Sequence, residues 1–174
     1  MNRSRYIRSL DIAAMQFKLA IQVAGAAHSG TLPQQCVGMV YGGLSIGKDA
    51  LKLEPNDAAL ASTALQHCAT FALAVAVDTA LEQTIPDRFN SQDPKIVAAA
   101  RIARIIRNAF THDPFYPRWV CTNPNHIGQF AIPDVITIDT TIVNGQSVEW
   151  THYGGPLALL RFLRHSQRLI SESE

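Results

Sequence analysis

Apolar residues recur at helical spacing along most of this chain. Between about Ser9 and Ala27 they fall every three to four positions, at Leu10, Ala13, Phe17, Ile21 and Ala24. That period is typical of an amphipathic helix with one buried face. A Gly- and Pro-rich segment follows from His28 to Pro55, and it predicts a loop with at most a short helix near Pro33 to Tyr41.

The next helical segment is apolar on nearly every side. It is predicted to start at the cap signal in residues 56–57 and to end near Ile85, with Pro86 just beyond. Its polar residues are His67, Asp78 and Glu82. Positions 67 and 78 are eleven residues apart and therefore lie ~20° from each other around the helix axis. The three residues predict a polar seam on an otherwise apolar helix.

A third helix has the strongest start signal in the chain. Asp93 is the predicted N-cap and Pro94 the first helical residue, while Pro114 stops the helix. Its predicted buried stripe consists of Ala99, Ile102, Ala103, Ile106 and Phe110. The opposite side carries Arg101, Arg104, Asn108 and His112.

The last helix is predicted to restart at Gly154-Gly155-Pro156. Its apolar positions are Leu157, Leu159, Leu160 and Leu163. Its basic face is formed by Arg161, Arg164, His165 and Arg168.

The chain changes character between the third and last helices. Phe130 to Ile132 and Val135 to Val143 show the β-branched alternation of strands. Asn144-Gly145 predicts a type I′ hairpin turn, and Ser147 to Thr151 would be the return strand. The patterns together predict one mainly α domain over residues 1–174, with a small β-hairpin elaboration at about residues 128–151, before the last helix.

Composition limits the functions open to this domain. The chain has 174 residues, a formal net charge of +1 and 47% hydrophobic residues. Nucleic-acid or nucleotide binding would therefore need a local basic patch, since the chain as a whole exerts no electrostatic pull. Three widely spaced cysteines predict a reducing compartment and no disulfide framework.

Two apolar stretches resemble targeting or membrane segments. Residues 1–30 begin basic and reach small residues, but Asp11 and Lys18 interrupt the apolar core that a signal peptide needs. In Ala58 to Leu81 the longest uninterrupted apolar run is Phe71 to Val77, well short of the ~20 residues of a membrane span. We expect an amphipathic helix and a core helix, no membrane partner and a cytoplasmic protein.

The candidate chemistry lies at the end of the third helix, in Arg107-Asn108-Ala109-Phe110-Thr111-His112. Asn108 and His112 are four positions apart and share a face, with Arg107 at its edge. An imidazole can move a proton near neutral pH, and a guanidinium can hold a phosphate through two hydrogen bonds. The alternative is an ordinary helix end that carries cations near its negative dipole.

This hexapeptide resembles the motif of the HEPN superfamily (higher eukaryotes and prokaryotes nucleotide-binding). That family carries an Arg, four to six further residues and a His, usually with a polar residue directly after the Arg. Here Asn108 is that polar residue, and the motif ends a helix that follows another long helix. Some members add a Tyr after the His, and Tyr116 stands four residues past His112, beyond Pro114.

The resemblance implies an antiparallel four-helix bundle that dimerises, with the motifs of two protomers facing one cleft. Many such proteins are metal-independent ribonucleases of toxin–antitoxin, defence or RNA-processing systems. By this resemblance His112 would be the general base on a ribose 2′-hydroxyl, Arg107 would stabilise the phosphate charge, and Asn108 would position either group. Arg104 and Tyr116 would bind the nucleic acid or its phosphates. The implied partners are RNA or a nucleotide, a second copy of the chain and an antitoxin-like protein.

A second function class stays open. Other members of the superfamily have lost catalysis, so the chain is alternatively a dimeric helical module that binds a nucleotide or a protein. No cofactor and no metal is expected. Cys121 and His126 bracket a short turn, but a zinc site needs two more nearby ligands. Trp119 and Trp150 are expected to pack in the hairpin layer, and His152-Tyr153 to form a tight turn into the last helix rather than an anion site.

Overall fold

The structure, a computed structural model, describes residues 3–32, 39–46 and 53–173. Its helices are α1 (Arg3–His28), α2 (Pro55–Thr84), α3 (Pro94–Thr111), the one-turn α4 (Thr140–Val143) and α5 (Gly155–Glu172). Its strands are β1 (Met39–Tyr41), β2 (Leu44–Ile46), β3 (Gln129–Ile132) and β4 (Ile136–Asp139). Short 3₁₀ turns occupy Pro124–His126 and Trp150–His152.

The four long helices form the body of the domain, as the apolar periodicity predicts. α2 is the central helix and contacts α1, α3 and α5. The core is built from their apolar stripes, with fully buried large side chains that include Phe17, Leu73, Ile102, Phe110 and Phe162. The β3–β4 pair packs on α3 through β3 and on α5 through β4. The mainly helical class and the small antiparallel sheet before the last helix are therefore confirmed.

Local signals place the start of α3 well, whereas α1 begins at Arg3 rather than near Ser9, and α2 begins at Pro55 with Glu54 as its N-cap, ahead of the cap predicted at residues 56–57. Asp93 caps α3, and its Oδ1 accepts a hydrogen bond of 2.8 Å from the backbone N–H of Lys95. Pro94 follows as the first helical residue, where its missing N–H costs nothing. One residue of the predicted apolar stripe on α5 is wrong: Leu157 is 68% exposed, whereas its neighbours Ala158 and Leu159 are buried, so Leu157 lies on the outward side of the first turn.

The β-hairpin is shorter than predicted and turns elsewhere. β3 pairs with β4 from Gln129 opposite Asp139 to Ile132 opposite Ile136. The predicted strand Val135–Val143 ends at Asp139, whose side chain caps α4 by accepting from the backbone N–H of Thr141. The β-branched residues of α4 continue the strand-like pattern of the sequence. They are helical in the structure because the carboxylate of Asp139 caps the turn.

The predicted type I′ turn at Asn144-Gly145 is wrong. Asn144 has φ −53° and ψ 129°, and Gly145 has φ +83°, which are the values of a type II turn. Ser147–Thr151 is not a return strand. The segment after the turn instead pairs with the chain leaving α3: the N–H of Trp119 donates to the carbonyl of Gln146, and the N–H of Gly145 donates to that of Trp119.

A turn of the primed type does occur earlier in the chain, at Gly42-Gly43. β1 and β2 form a hairpin whose two connecting residues, Gly42 and Gly43, both have positive φ. The loop predicted for His28–Pro55 therefore contains a hairpin, and residues 39–41 are a strand rather than part of a short helix. The remainder of that predicted helix lies outside the described residues.

One helix of the described part, Asn56–Thr84, is long and apolar enough by composition to cross a membrane, with a mean hydropathy of 1.5. A core helix of a globular protein passes the same test. The α2 helix also carries the fully buried carboxylate of Asp78, paired with arginines of the following elements. The absence of a membrane partner and the cytoplasmic location stay predictions.

We expect Gly145→Val to lower the free energy of unfolding by ~1–2 kcal/mol, because a side chain is strained in the left-handed conformation that Gly145 adopts. Gly145→Asn is the matched control and should cost clearly less, since Asn tolerates positive φ. Chemical denaturation of the three proteins measures the difference. Equal stability of the Val variant and the wild type would contradict the turn geometry.

Candidate functional site: an arginine cluster at the polar side of α3

A fully buried carboxylate organises the polar side of α3. The Oδ2 atom of Asp78, on α2, accepts a hydrogen bond of 2.9 Å from Nε of Arg104 and one of 2.7 Å from a terminal nitrogen of Arg107. The Asp78 side chain has no exposed surface. A buried carboxylate is costly unless it is paired, so the pairing of Asp78 with arginines contributes to the stability of the fold.

Arg88 and Glu82 complete the cluster. Arg88 comes from the turn after α2, and its guanidinium lies 3.6 Å from Oδ1 of Asp78 and donates to Glu82 at 3.0 Å. Glu82 also lies 3.7 Å from Arg104. Arg88 and Arg104 both pack against the Phe89 ring, at 4.6 Å and 5.7 Å from its centre. These contacts hold the guanidinium groups in fixed positions, which is the preorganisation that anion binding rewards.

Arg107 is only partly used by this cluster. Its side chain keeps 37% of its surface exposed while one terminal nitrogen bonds to Asp78. The guanidinium has five N–H donors in all. Its other donors make no hydrogen bond within the described part of the chain.

His112 lies at the C-cap of α3 and is exposed. Within residues 3–32, 39–46 and 53–173 its ring makes no hydrogen bond, either to Arg107 or to another group. Asn108 is half-buried on the same side of the helix. The motif residues therefore share one end of α3, but the structure does not join the His to the Arg directly.

Two exposed aromatic residues follow the motif. Asp113 Oδ1 accepts hydrogen bonds from the backbone N–H groups of Phe115 and Tyr116, at 2.9 and 3.1 Å, and fixes the turn that leaves α3. The side chains of Phe115 and Tyr116 are 55% and 74% exposed. Nδ1 of His67, on the predicted polar seam of α2, contacts the Phe115 carbonyl oxygen at 3.1 Å. Pro114 thus does not displace Tyr116 from the end of the helix.

A polar cavity adjoins the arginine cluster on the side of Arg104. It has a volume of about 310 Å³ and is lined by Phe89, Asn90, Arg101, Arg104, Asn123, Asn125 and His126. His126 enters from the 3₁₀ turn, far from α3 in sequence. Burial lowers the pKa of His126, and the positive charges of Arg104 and Arg101 lower it further.

Several of these residues are not identified by the sequence pattern as parts of a site. Asp78 and Glu82 are visible there only as a polar seam, and Arg88 carries no signal of its own. His126 is suggested only as half of a metal knuckle with Cys121. In the structure Cys121 is buried and its N–H bonds to the side chain of Asn144. Among the described residues no group of three or more His, Cys, Asp or Glu side chains is placed to hold a metal ion.

Trp119 and Trp150 are packing residues, as predicted, but their ring partners lie outside the β3–β4 hairpin. Trp119 is fully buried, and its indole N–H donates to Nδ1 of His152 at 2.8 Å. Trp150 packs edge-on against Phe17 and Tyr153. His152-Tyr153 lies in the 3₁₀ turn leading into α5.

Comparison with known proteins found no matching family model, no matching curated protein and no matching solved structure. The HEPN resemblance therefore rests on the hexapeptide Arg107–His112 and its position in the chain.

We expect Asp78→Asn to lower the free energy of unfolding by about 3–5 kcal/mol, because it removes the charge that compensates the half-buried guanidinium groups around it. Glu82→Gln is the matched control. Its side chain is 43% exposed and should matter by less than about 1 kcal/mol. Urea denaturation compares the two. An Asp78→Asn variant as stable as Glu82→Gln would show that the cluster does not hold the helices together.

Proposed function

We propose that this protein is a HEPN-like, metal-independent ribonuclease that binds RNA across the C-terminal end of α3. In this proposal a phosphate of the RNA contacts Arg107, and the adjoining ribose lies next to His112. His112 accepts the proton of the 2′-hydroxyl, the 2′-oxygen bonds to phosphorus, and the bond from phosphorus to the 5′-oxygen breaks as that oxygen takes a proton from water. The products are a 2′,3′-cyclic phosphate and a 5′-hydroxyl end.

The observation that carries the proposal is the state of Arg107. Its guanidinium is fixed by a fully buried carboxylate and yet is more than a third exposed. A phosphate at that surface would meet donors that need no reorganisation, and electrostatic preorganisation of this kind commonly contributes more to catalysis than any other effect. Arg104 is anchored to the same oxygen atom and adds a second positive charge nearby.

The exposed residues beyond the helix suit RNA rather than a small anion alone. Phe115 and Tyr116 offer two aromatic faces next to His112, and single-stranded bases stack on such faces with a gain of ~1–3 kcal/mol per base. His112 has no intramolecular hydrogen bond to break within the described part of the chain. One short segment of the chain therefore offers side chains for a phosphate, a ribose and a base.

The ribonuclease proposal predicts that His112→Ala slows RNA cleavage by ~10²–10⁴-fold, since it removes the proton acceptor. Arg107→Ala should slow it by ~10²–10³-fold through loss of the phosphate contact. Gel assays with a labelled oligoribonucleotide, in EDTA, measure both. Arg164→Ala, an exposed arginine of α5, is the control and should cleave at the wild-type rate.

Both variants should keep the wild-type melting temperature within a few degrees, because His112 is exposed and Asp78 retains Arg104 after Arg107 is lost. A substrate with a 2′-deoxy sugar at the scissile position should resist cleavage. No cleavage by the wild type, with both substitutions lowering only the melting temperature, would reject the catalytic role.

A second candidate is a non-catalytic helical module that binds a nucleotide or a protein. It is favoured by the fact that Arg104 and Arg107 both bond to Asp78, which gives them a structural role without any ligand. The RNA-cleavage assay separates the two candidates directly.

Dimerisation is part of both candidates. A second apolar stripe on α1, formed by Ile12, Met15 and Leu19, is 44–61% exposed. Beside it, Leu65 and Cys68 of α2 line an apolar groove of about 300 Å³ in which Gln16 is the polar residue. Two apolar stripes on neighbouring helices are self-complementary about a twofold axis, so we propose a second copy of the chain as the occupant. This surface favours α1 and α2 as the helices that meet between the two protomers. The resemblance instead implies a twofold axis near α3, which stays a prediction.

We expect the wild type to sediment as a dimer at tens of micromolar, roughly the range in which a weak dimer still forms. Leu19→Lys should shift it to monomer by burying a charge at the contact. Leu157→Lys is the matched control, because Leu157 is as exposed as Leu19 but lies on α5. A monomeric wild type, or equal effects of the two substitutions, would count against this contact.

A further inference from the structure

The cavity beside the arginine cluster has the shape and lining of a ligand site. It is an open cavity of about 310 Å³ between α3, the turn after α2 and the 3₁₀ turn Pro124–His126. That volume is at the lower end of the range for small-molecule sites, ~300–1,000 Å³. It is much larger than one ion needs and large enough for a small organic molecule.

The charge of the cavity is positive and is not neutralised from within. Arg101 and Arg104 contribute guanidinium groups, and no acidic residue of the described chain lines it. Arg101 has no carboxylate within 4 Å among the described residues, and its guanidinium lies over the Phe130 ring at 5.9 Å. Arg104 shares Asp78 with Arg107 and is held against Phe89. The two arginines therefore converge on a space without an anion of its own.

His126 experiences the same positive field at the opposite wall. Its pKa is lowered first by burial and then by Arg104 and Arg101, with Asp78 acting weakly in the opposite direction. A dianion placed among these three side chains would reverse the electrostatic part of that effect. Its binding would then raise the pKa of His126.

The asparagines supply neutral polar contacts around this charged centre. Oδ1 of Asn123 accepts from the backbone N–H of Asn125 at 2.9 Å and so fixes the turn that carries His126. The amide nitrogen of Asn123 and the side chains of Asn90 and Asn125 remain as hydrogen-bonding groups at the wall. Amides of this kind match the donors and acceptors of a ribose or a base edge.

We propose that this cavity binds a 5′-mononucleotide, with its phosphate between Arg101, Arg104 and His126. The phosphate monoester is recognised by two charged donors and an imidazole, and the asparagines contact the nucleoside. This site shares Arg104 with the proposed RNA-binding region but includes neither Arg107 nor His112, and the proposal does not rest on ribonuclease activity.

Titration calorimetry with AMP, adenosine and inorganic phosphate tests the proposal on the full chain. AMP should bind at least about tenfold more tightly than adenosine, because charge-assisted hydrogen bonds to phosphate supply most of the affinity. Inorganic phosphate should compete with AMP. Arg101→Gln and His126→Gln should each weaken AMP binding, the first by about tenfold or more. Arg164→Gln removes one exposed positive charge elsewhere and should leave binding unchanged.

A second measurement needs no variant that might unfold. The ring proton resonance of His126, followed by NMR against pH, should show a higher pKa with AMP than without it. Equal binding of AMP and adenosine, equal losses in the Arg101 and Arg164 variants, or an unchanged His126 titration would each overturn the proposal. Cleavage of RNA without AMP binding would reject this site alone, whereas AMP binding without cleavage would reject the ribonuclease alone.

Discussion

The buried carboxylate of Asp78 is the constraint on which the rest of this structure depends. An unpaired carboxylate in a protein interior costs several kcal/mol, so α2 can be the central helix only if cations reach this position. Two come from α3, and a third comes from the turn after α2. Apolar stripes alone would let α3 shift by one helical turn along α2. The buried carboxylate would lose its cations after such a shift, and we infer that it fixes which turn of α3 faces which turn of α2.

The same constraint concentrates charge on one side of the molecule. Among the described residues, Arg88, Arg104 and Arg107 pair with Asp78 or Glu82, and Arg101 lies beside Arg104 without a carboxylate within 4 Å. The local excess of two positive charges is larger than the formal net charge of +1 of the whole chain. A protein without global attraction for phosphates therefore has one region where the field is strong and the donors are held in place. This is why both proposals, for RNA and for a nucleotide, fall on the polar side of α3.

The sequence predicts those parts of the fold whose signals are local. The start of α3 follows from Asp93 and Pro94, and the start of α5 from the Gly-Gly-Pro run, because caps and proline effects act within a few residues. Asn144-Gly145 is recognisable as a turn, but its type depends on the strand that pairs beyond it. That partner is the chain around Trp119, some 25 residues earlier, and no local pattern shows the pairing.

The candidate site is likewise divided between residues with a local signal and residues brought in by the fold. Arg104, Arg107 and His112 are visible as polar residues of one predicted helix, whereas Arg88 and His126 belong to loops and are brought to that helix only by the fold.

The segment between α3 and α5 is more than a cover for the helices. Trp119 is fully buried, and its backbone pairs with that of the Gln146 region. This pairing holds the segment between α3 and α5 against the helices. Thr140 then fixes the approach to β3: its hydroxyl donates to the carbonyl of His126 and accepts from the N–H of Gly128. These bonds set the position of the 3₁₀ turn, and with it the imidazole and the asparagine amides that face Arg101 and Arg104. A bundle of four helices would present the arginines to open solvent, where screening weakens them. The added segment supplies the second wall of the cavity, so Arg101 and Arg104 line a cleft rather than a flat surface.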